Sequence, residues 1–176
     1  MPLDAPDSAV GALAVLLSDR DLRQRFVENP LSVLPLWSLP ESEQKMLLQL
    51  RADQLNIQAA ILIRKRLREV AKWIPLTIEG LGADAYALFD QYAECYWPHT
   101  HRRHQEDAKR FCEHLKTKGY PYNRSEYNRV RFENSSRRCA VTYAGDAWVH
   151  GRKTAVLQFM VRRKQQPQEW RFYIRA

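Results

Sequence analysis

The chain predicts an α+β protein. An N-terminal multi-helix domain occupies residues 1–134, and a small C-terminal three-stranded antiparallel sheet occupies residues 135–176. Two observations carry this reading. Asn56–Ile74 holds no Gly or Pro and places Ala59, Ala60, Ile63, Leu67, Val70 and Ile74 on one face at helical spacing. From Arg137 onward the apolar period changes from helical to two.

Taken in order, Asp7 or Ser8 can cap a first helix running to about Leu17, and Ser18 can cap a second over Asp19–Glu28. Asn29-Pro30 closes that helix and opens a short one, since Pro is favoured at the first helical position. Ser38 and Glu41 form a capping box ahead of a helix to about Leu50. A break near Asp53, or one continuous helix, then leads into Asn56–Ile74. Ile57, Ile61 and Leu62 make the first half of that segment apolar on most sides, so it is expected to be buried. Arg64, Lys65, Arg68 and Lys72 give the second half a polar face and suit the dipole. Pro75 stops it.

Leu76–Leu81 is a short helical turn interrupted by Gly82. Asp84 caps a helix to about Trp97, with Phe89, Ala93 and Tyr96 in a stripe that reads as core. Thr100–Lys118 turns Ala108, Phe111 and Leu115 inward, and Gly119 suits the residue after its end. Arg124–Glu133 is a last short helix. Cys139, Val141 and Tyr143 then form the apolar side of a first strand, and Ala144-Gly145-Asp146 reads as a turn. Ala147–Lys153 is equally compatible with strand or loop. Leu157, Phe159 and Val161 mark a second strand, Arg163–Gln168 a connection, and Trp170, Phe172 and Ile174 a third. The alternation predicts that this apolar face packs on the helices and that the Arg-rich face is outward.

A length of 176 residues suits one domain or a domain with an appendage. The net charge of +8 admits nucleic acid, an anionic membrane surface or an acidic protein partner. Cys95, Cys112 and Cys139 contain no CxxC and are odd in number, which points to a reducing cytoplasm rather than a disulfide framework. No segment has the plan of a signal peptide or a membrane span, so a membrane partner is not expected.

Candidate chemistry is sparse. His99, His101 and His104 lie at ligand-like spacing, but Arg102 and Arg103 would repel a divalent cation. His150 and Cys139 have no spacing that requires a nucleophile and base, and Cys139 is expected to be buried and inert. No phosphate loop, HExxH or GxSxG occurs. No catalytic residue, metal ligand or cofactor is therefore assigned. Aromatics interleaved with cations, as in EWRFYIR, leave a basic nucleic-acid-binding regulator as the alternative function. The third strand is expected at a sheet edge, where strand addition can capture an extended peptide. The candidate peptide- or partner-binding residues are Tyr143, Trp148, Trp170, Arg171, Tyr173 and Arg175.

Two segments resemble known families. Leu16–Leu50, with Leu22, Arg25, Phe26, Pro30 and Leu39, resembles the small helical module of aromatic-ring-opening dioxygenase small subunits, placed here at about residues 8–50. Arg68–Glu133, with WIPLTIEGLG, FDQYAECYWP and AKRFCEHL in that order, is similar to the helical partner proteins of multinuclear non-haem iron oxidases in methanobactin-like peptide biosynthesis, the MbnC type. That resemblance implies a non-catalytic subunit that binds an iron oxidase and helps present a precursor peptide. The partner would hold the iron and convert peptide Cys to an oxazolone–thioamide that chelates copper.

Overall fold

The computed structural model describes residues 6–98, 102–149, 152–163 and 166–174. The predicted class is present: helices come first, and a three-stranded antiparallel sheet closes the chain. The chain forms two compact units, Met1–Lys65 and Arg66–Ala176.

In the first unit α1 (Ala9–Ser18) starts at Ser8, whose hydroxyl accepts from Gly11 N. Asp19, not Ser18, caps α2 (Arg20–Glu28), accepting from Leu22 N, while the Ser18 hydroxyl donates back to Val15 O. The back-bond takes the hydroxyl away from capping. Two 3-10 turns, Pro30–Ser32 and Leu34–Leu36, replace the short helix. The next helix, α3 (Glu41–Leu48), has no side-chain cap at its start, so the box read from Ser38 and Glu41 does not form. Ala12, Leu16, Phe26, Val33, Leu34, Trp37, Leu39, Leu47 and Leu55 make one buried cluster.

The long helix α4 is Ala52–Ala71. It begins before the expected break at Asp53 and ends three residues before Ile74, while Pro75 sits at the first position of α5 (Pro75–Leu81). Its first half is less enclosed than expected, with Ile57 exposed and Ile61 and Leu62 half-buried.

In the second unit α6 (Ala85–Cys95) packs on α7 (Arg103–Lys118) through Phe89 and Phe111, whose rings meet edge to face at 5.0 Å. Gly119, at φ 77°, ends α7 in the left-handed conformation. A buried ion pair reinforces this layer. Arg66 Nε and Nη2 each donate to Asp107 at 2.8 Å, Nη2 also donates to Tyr96 O, and Tyr92 donates its hydroxyl to Asp107 Oδ1. The guanidinium lies 4.7 Å from the Trp97 ring. Burial, then the Asp107 charge, pushes the Tyr92 hydroxyl far above its usual range, so it stays a donor.

The last helix, α8 (Arg124–Glu133), is capped by Asn123. Its buried Glu126 accepts from Leu76 N, Thr77 N and the Thr77 hydroxyl, which ties α8 to the start of α5. The sheet is an antiparallel meander of β1 (Cys139–Val149), β2 (Arg152–Arg163) and β3 (Gln166–Ile174), with β2 central.

Two expectations about this sheet are corrected. Ala144-Gly145-Asp146 is not a turn: β1 continues through it with one extra residue, since Ala144 pairs with Val156 and Ala147 with Thr154. A Cβ at Gly145 would lie 3.2 Å from the Tyr143 ring, which would have to give by a few tenths of an ångström. The ambiguous Ala147–Lys153 segment is resolved as strand at Ala147–Val149 and again from Arg152. The helices also meet the opposite face of the sheet from the expected one, and this reversal creates the candidate site.

Candidate interaction face of the sheet

The side of the sheet that packs on α8 is the polar one. Ala144, Val156, Gln158 and Met160 are buried there, and Ala140, Thr142, Arg162, Glu169 and Arg171 are partly covered. The expected inward face is outward instead. Val141 is 63% exposed, Tyr143 62%, Phe172 58%, Trp170 45%, Phe159 41% and Leu157 38%. Cys139, expected to be buried, is exposed on the same side.

Hydrogen-bond demand explains the reversal. The C-terminus of a helix leaves carbonyls without intrahelical donors. Arg162 Nη2 supplies one to Phe132 O, Glu133 O and Ser135 O at 3.0–3.2 Å, closing the end of α8. Gln158, fully buried, donates to Ser125 O and Glu169 Oε1, both at 2.8 Å. Its carbonyl accepts from Asn128 and Thr142. All four of its bonding positions are used. An apolar face against α8 would forfeit these bonds and strip Ser135 O of its Arg162 donor, at about 1–3 kcal/mol, while Phe132 O keeps Ser135 and Glu133 O keeps Arg102 as donors.

Register builds the outward face row by row. Val141, Phe159 and Trp170 lie side by side across the three strands, and Tyr143, Leu157 and Phe172 form the next row. The Phe159 and Trp170 rings are 5.8 Å apart and tilted by 39°. Six large apolar side chains thus form a contiguous exposed surface, the pattern of an interaction site rather than of scattered surface residues.

The six residues singled out from the sequence do not converge. Tyr143 and Trp170 stand on this face. Trp148 is in β1, paired with Lys153 past the bulge. Arg171 lies on the helix side, paired with Glu169 at 2.7 Å. Burial would raise the Glu169 carboxyl, but hydrogen bonds from Arg171 and Gln158 outweigh it and hold the group below its usual range. Tyr173 pairs with Val156 in the ladder and is exposed. Arg175 lies outside the described residues, as do His99, His101 and His150. Val141, Leu157, Phe159 and Phe172 complete the face and were not among the candidates. No sequence signal marked them as outward, because the tasks that hold Gln158, Arg162 and Glu169 on the opposite side exist only in the fold.

Among the described residues no group of three or more His, Cys, Asp or Glu is placed to hold a metal ion, and no helix is long and apolar enough to cross a membrane. Burial first, then nearby Glu126 and Glu113, pushes the Cys112 thiol far above its ordinary range, so it stays protonated.

Residues 49–117 match the family model of the SCO6045-like, C-terminal domain. The matched stretch takes in α4 to nearly the end of α7 and stops short of α8 and the sheet. No curated protein and no solved structure matches the chain.

Proposed function

We propose that this chain is a non-catalytic accessory subunit that pairs with an iron-dependent peptide-modifying oxidase and helps bind its precursor peptide. The observation that carries the pairing is the outward apolar face. Val141, Tyr143, Leu157, Phe159, Trp170 and Phe172 offer a surface that a protein partner would bury. The identity of the partner rests on the resemblance of Arg68–Glu133 to helical partners of non-haem iron oxidases. On this reading iron belongs to the partner subunit, which oxidises peptide Cys, while this chain supplies docking and a sheet edge for the precursor.

The alternative, a nucleic-acid-binding regulator, is less well supported. Arg162 and Arg171 are engaged on the helix side, by carbonyls at the end of α8 and by Glu169, and neither of the two outward aromatic rows contains a Lys or Arg, although β2 also carries Arg152, Lys153 and Arg163. Stacking platforms for nucleic acid combine aromatics with cations that follow the backbone.

Affinity capture of the tagged full chain from its native cells, after nuclease treatment and with an iron assay, tests the proposal. A roughly stoichiometric iron protein whose retention changes little with salt is the expected result. Recovery of nucleic acid alone, with a steep loss on a logarithmic salt scale, overturns it.

A further inference from the structure

The two edges of the sheet differ in what they offer an extended peptide. The Arg162 N–H donates to Arg138 O at 2.8 Å. In an antiparallel ladder bonded pairs alternate. The backbone groups of Ala140 and Thr142 therefore turn toward β2, and those of Cys139, Val141 and Tyr143 turn to the outer edge. That edge runs for about 17 Å at the usual strand rise.

Beneath it, on the helix side, lies a groove of about 540 Å³. Ala140 and Thr142 of β1 and Met160 of β2 form one wall, and α7 and α8 form the other. Its charge is lopsided. Glu113 is taken by Lys109 at 3.7 Å and by the Tyr127 hydroxyl at 3.3 Å. Arg131 and Arg137 also line the groove, are exposed, and form no ion pair with a described residue. The negative end of the α8 dipole would oppose an anion here, but Arg162 already covers its carbonyls.

The opposite edge differs. There the outward backbone groups belong by the same alternation to Glu169, Arg171 and Tyr173. The helix-side charges at that edge, Glu169 and Arg171, neutralise each other. A strand added to β3 would meet no uncompensated charge from this pair.

We propose that the groove along β1 binds an extended peptide segment carrying acidic side chains at alternate positions. Its backbone pairs with Cys139, Val141 and Tyr143, and every second side chain turns into the groove toward Arg131 and Arg137. This assignment rests on the reading that the chain receives a peptide; it shares Val141 and Tyr143 with the face that docks the oxidase, but uses their main chain and the side chains of Arg131 and Arg137 rather than the apolar side chains.

Selection of a random linear peptide library on the immobilised full chain tests it. Enriched peptides are expected to carry Asp or Glu at alternate positions. Their affinity should fall by about tenfold or more in Arg131→Glu/Arg137→Glu, two exposed sites, with circular dichroism and the thermal midpoint checking that the variant folds. N-methylation of alternate peptide amides should weaken binding in one register only. Peptides without acidic bias, or acidic peptides that bind the double variant equally well, would overturn the groove assignment. The two proposals fail separately. Retention of the iron protein by Arg131→Glu/Arg137→Glu, together with failed peptide selection, sinks only the groove. Loss of any iron protein from the wild type sinks the subunit reading.

Discussion

Gln158 and Arg162 do the most to orient the sheet, and neither stands out in the sequence. Each sits in an alternating strand where a polar residue ordinarily means solvent. Their tasks, four bonds for one and a helix end for the other, exist only once α8 is folded beside β2. Replacement of Gln158 by Leu should therefore destabilise the protein by about 1–3 kcal/mol in urea unfolding, despite the gain in hydrophobicity. Asp107 is a sharper case. Its loss strands Arg66, which is 7% exposed, and Asp107→Ala should cost about 3–5 kcal/mol by the same measurement. Glu169 sets a pH dependence. Its folded carboxyl titrates below the ordinary value of 4.5, so its contribution is present above that value and is lost as pH falls through the folded one. Arg171→Ala should cost on the order of 1 kcal/mol at neutral pH, and the difference from the wild type should shrink below about pH 4 in acid-unfolding curves.

At the scale of elements, the helices were legible where local rules decide them. Ser8 accepts the expected cap bond, Gly119 ends α7, and the bounds of α8 coincide with Arg124–Glu133, with Asn123 as a cap that was not among the expected ones. Strand alternation was legible too, but not its sense. Period two states which side chains share a face and is silent on which face is covered. Both files of this sheet carry apolar and polar residues, so the choice fell to the bonds that Gln158 and Arg162 make beside α8. The reversal has a simple chemical signature. Cys139 should react with a maleimide much faster than Cys112, which is fully buried, and the ratio should collapse in denaturant. Comparable rates in the native protein would mean that the outward and inward faces have been exchanged.

For the molecule as a whole, two units divide the chain at Lys65 and Arg66, within α4, where the sequence showed only an uninterrupted helical period. The second unit joins helices and sheet in one body, because the polar face of the sheet finishes the hydrogen bonding of α8. Satisfying those polar groups turns the aromatic rows outward. An apolar surface of this kind left uncovered is a liability for a free protein, and a partner that covers it removes the liability. The candidate residues picked from the sequence were drawn toward the aromatic, Arg-rich terminus, so they caught Tyr143 and Trp170 but missed Phe159 and Phe172.

The most direct test of the account is capture of the partner by the wild type and by Phe159→Ser/Phe172→Ser side by side. Both positions are exposed, so the variant should fold, with circular dichroism and the thermal midpoint as the check. The variant should lose the iron protein, with affinity down by roughly thirtyfold from about 2 kcal/mol of lost apolar burial. Undiminished capture by the folded variant would contradict the claim that the outward face of the sheet is the docking surface.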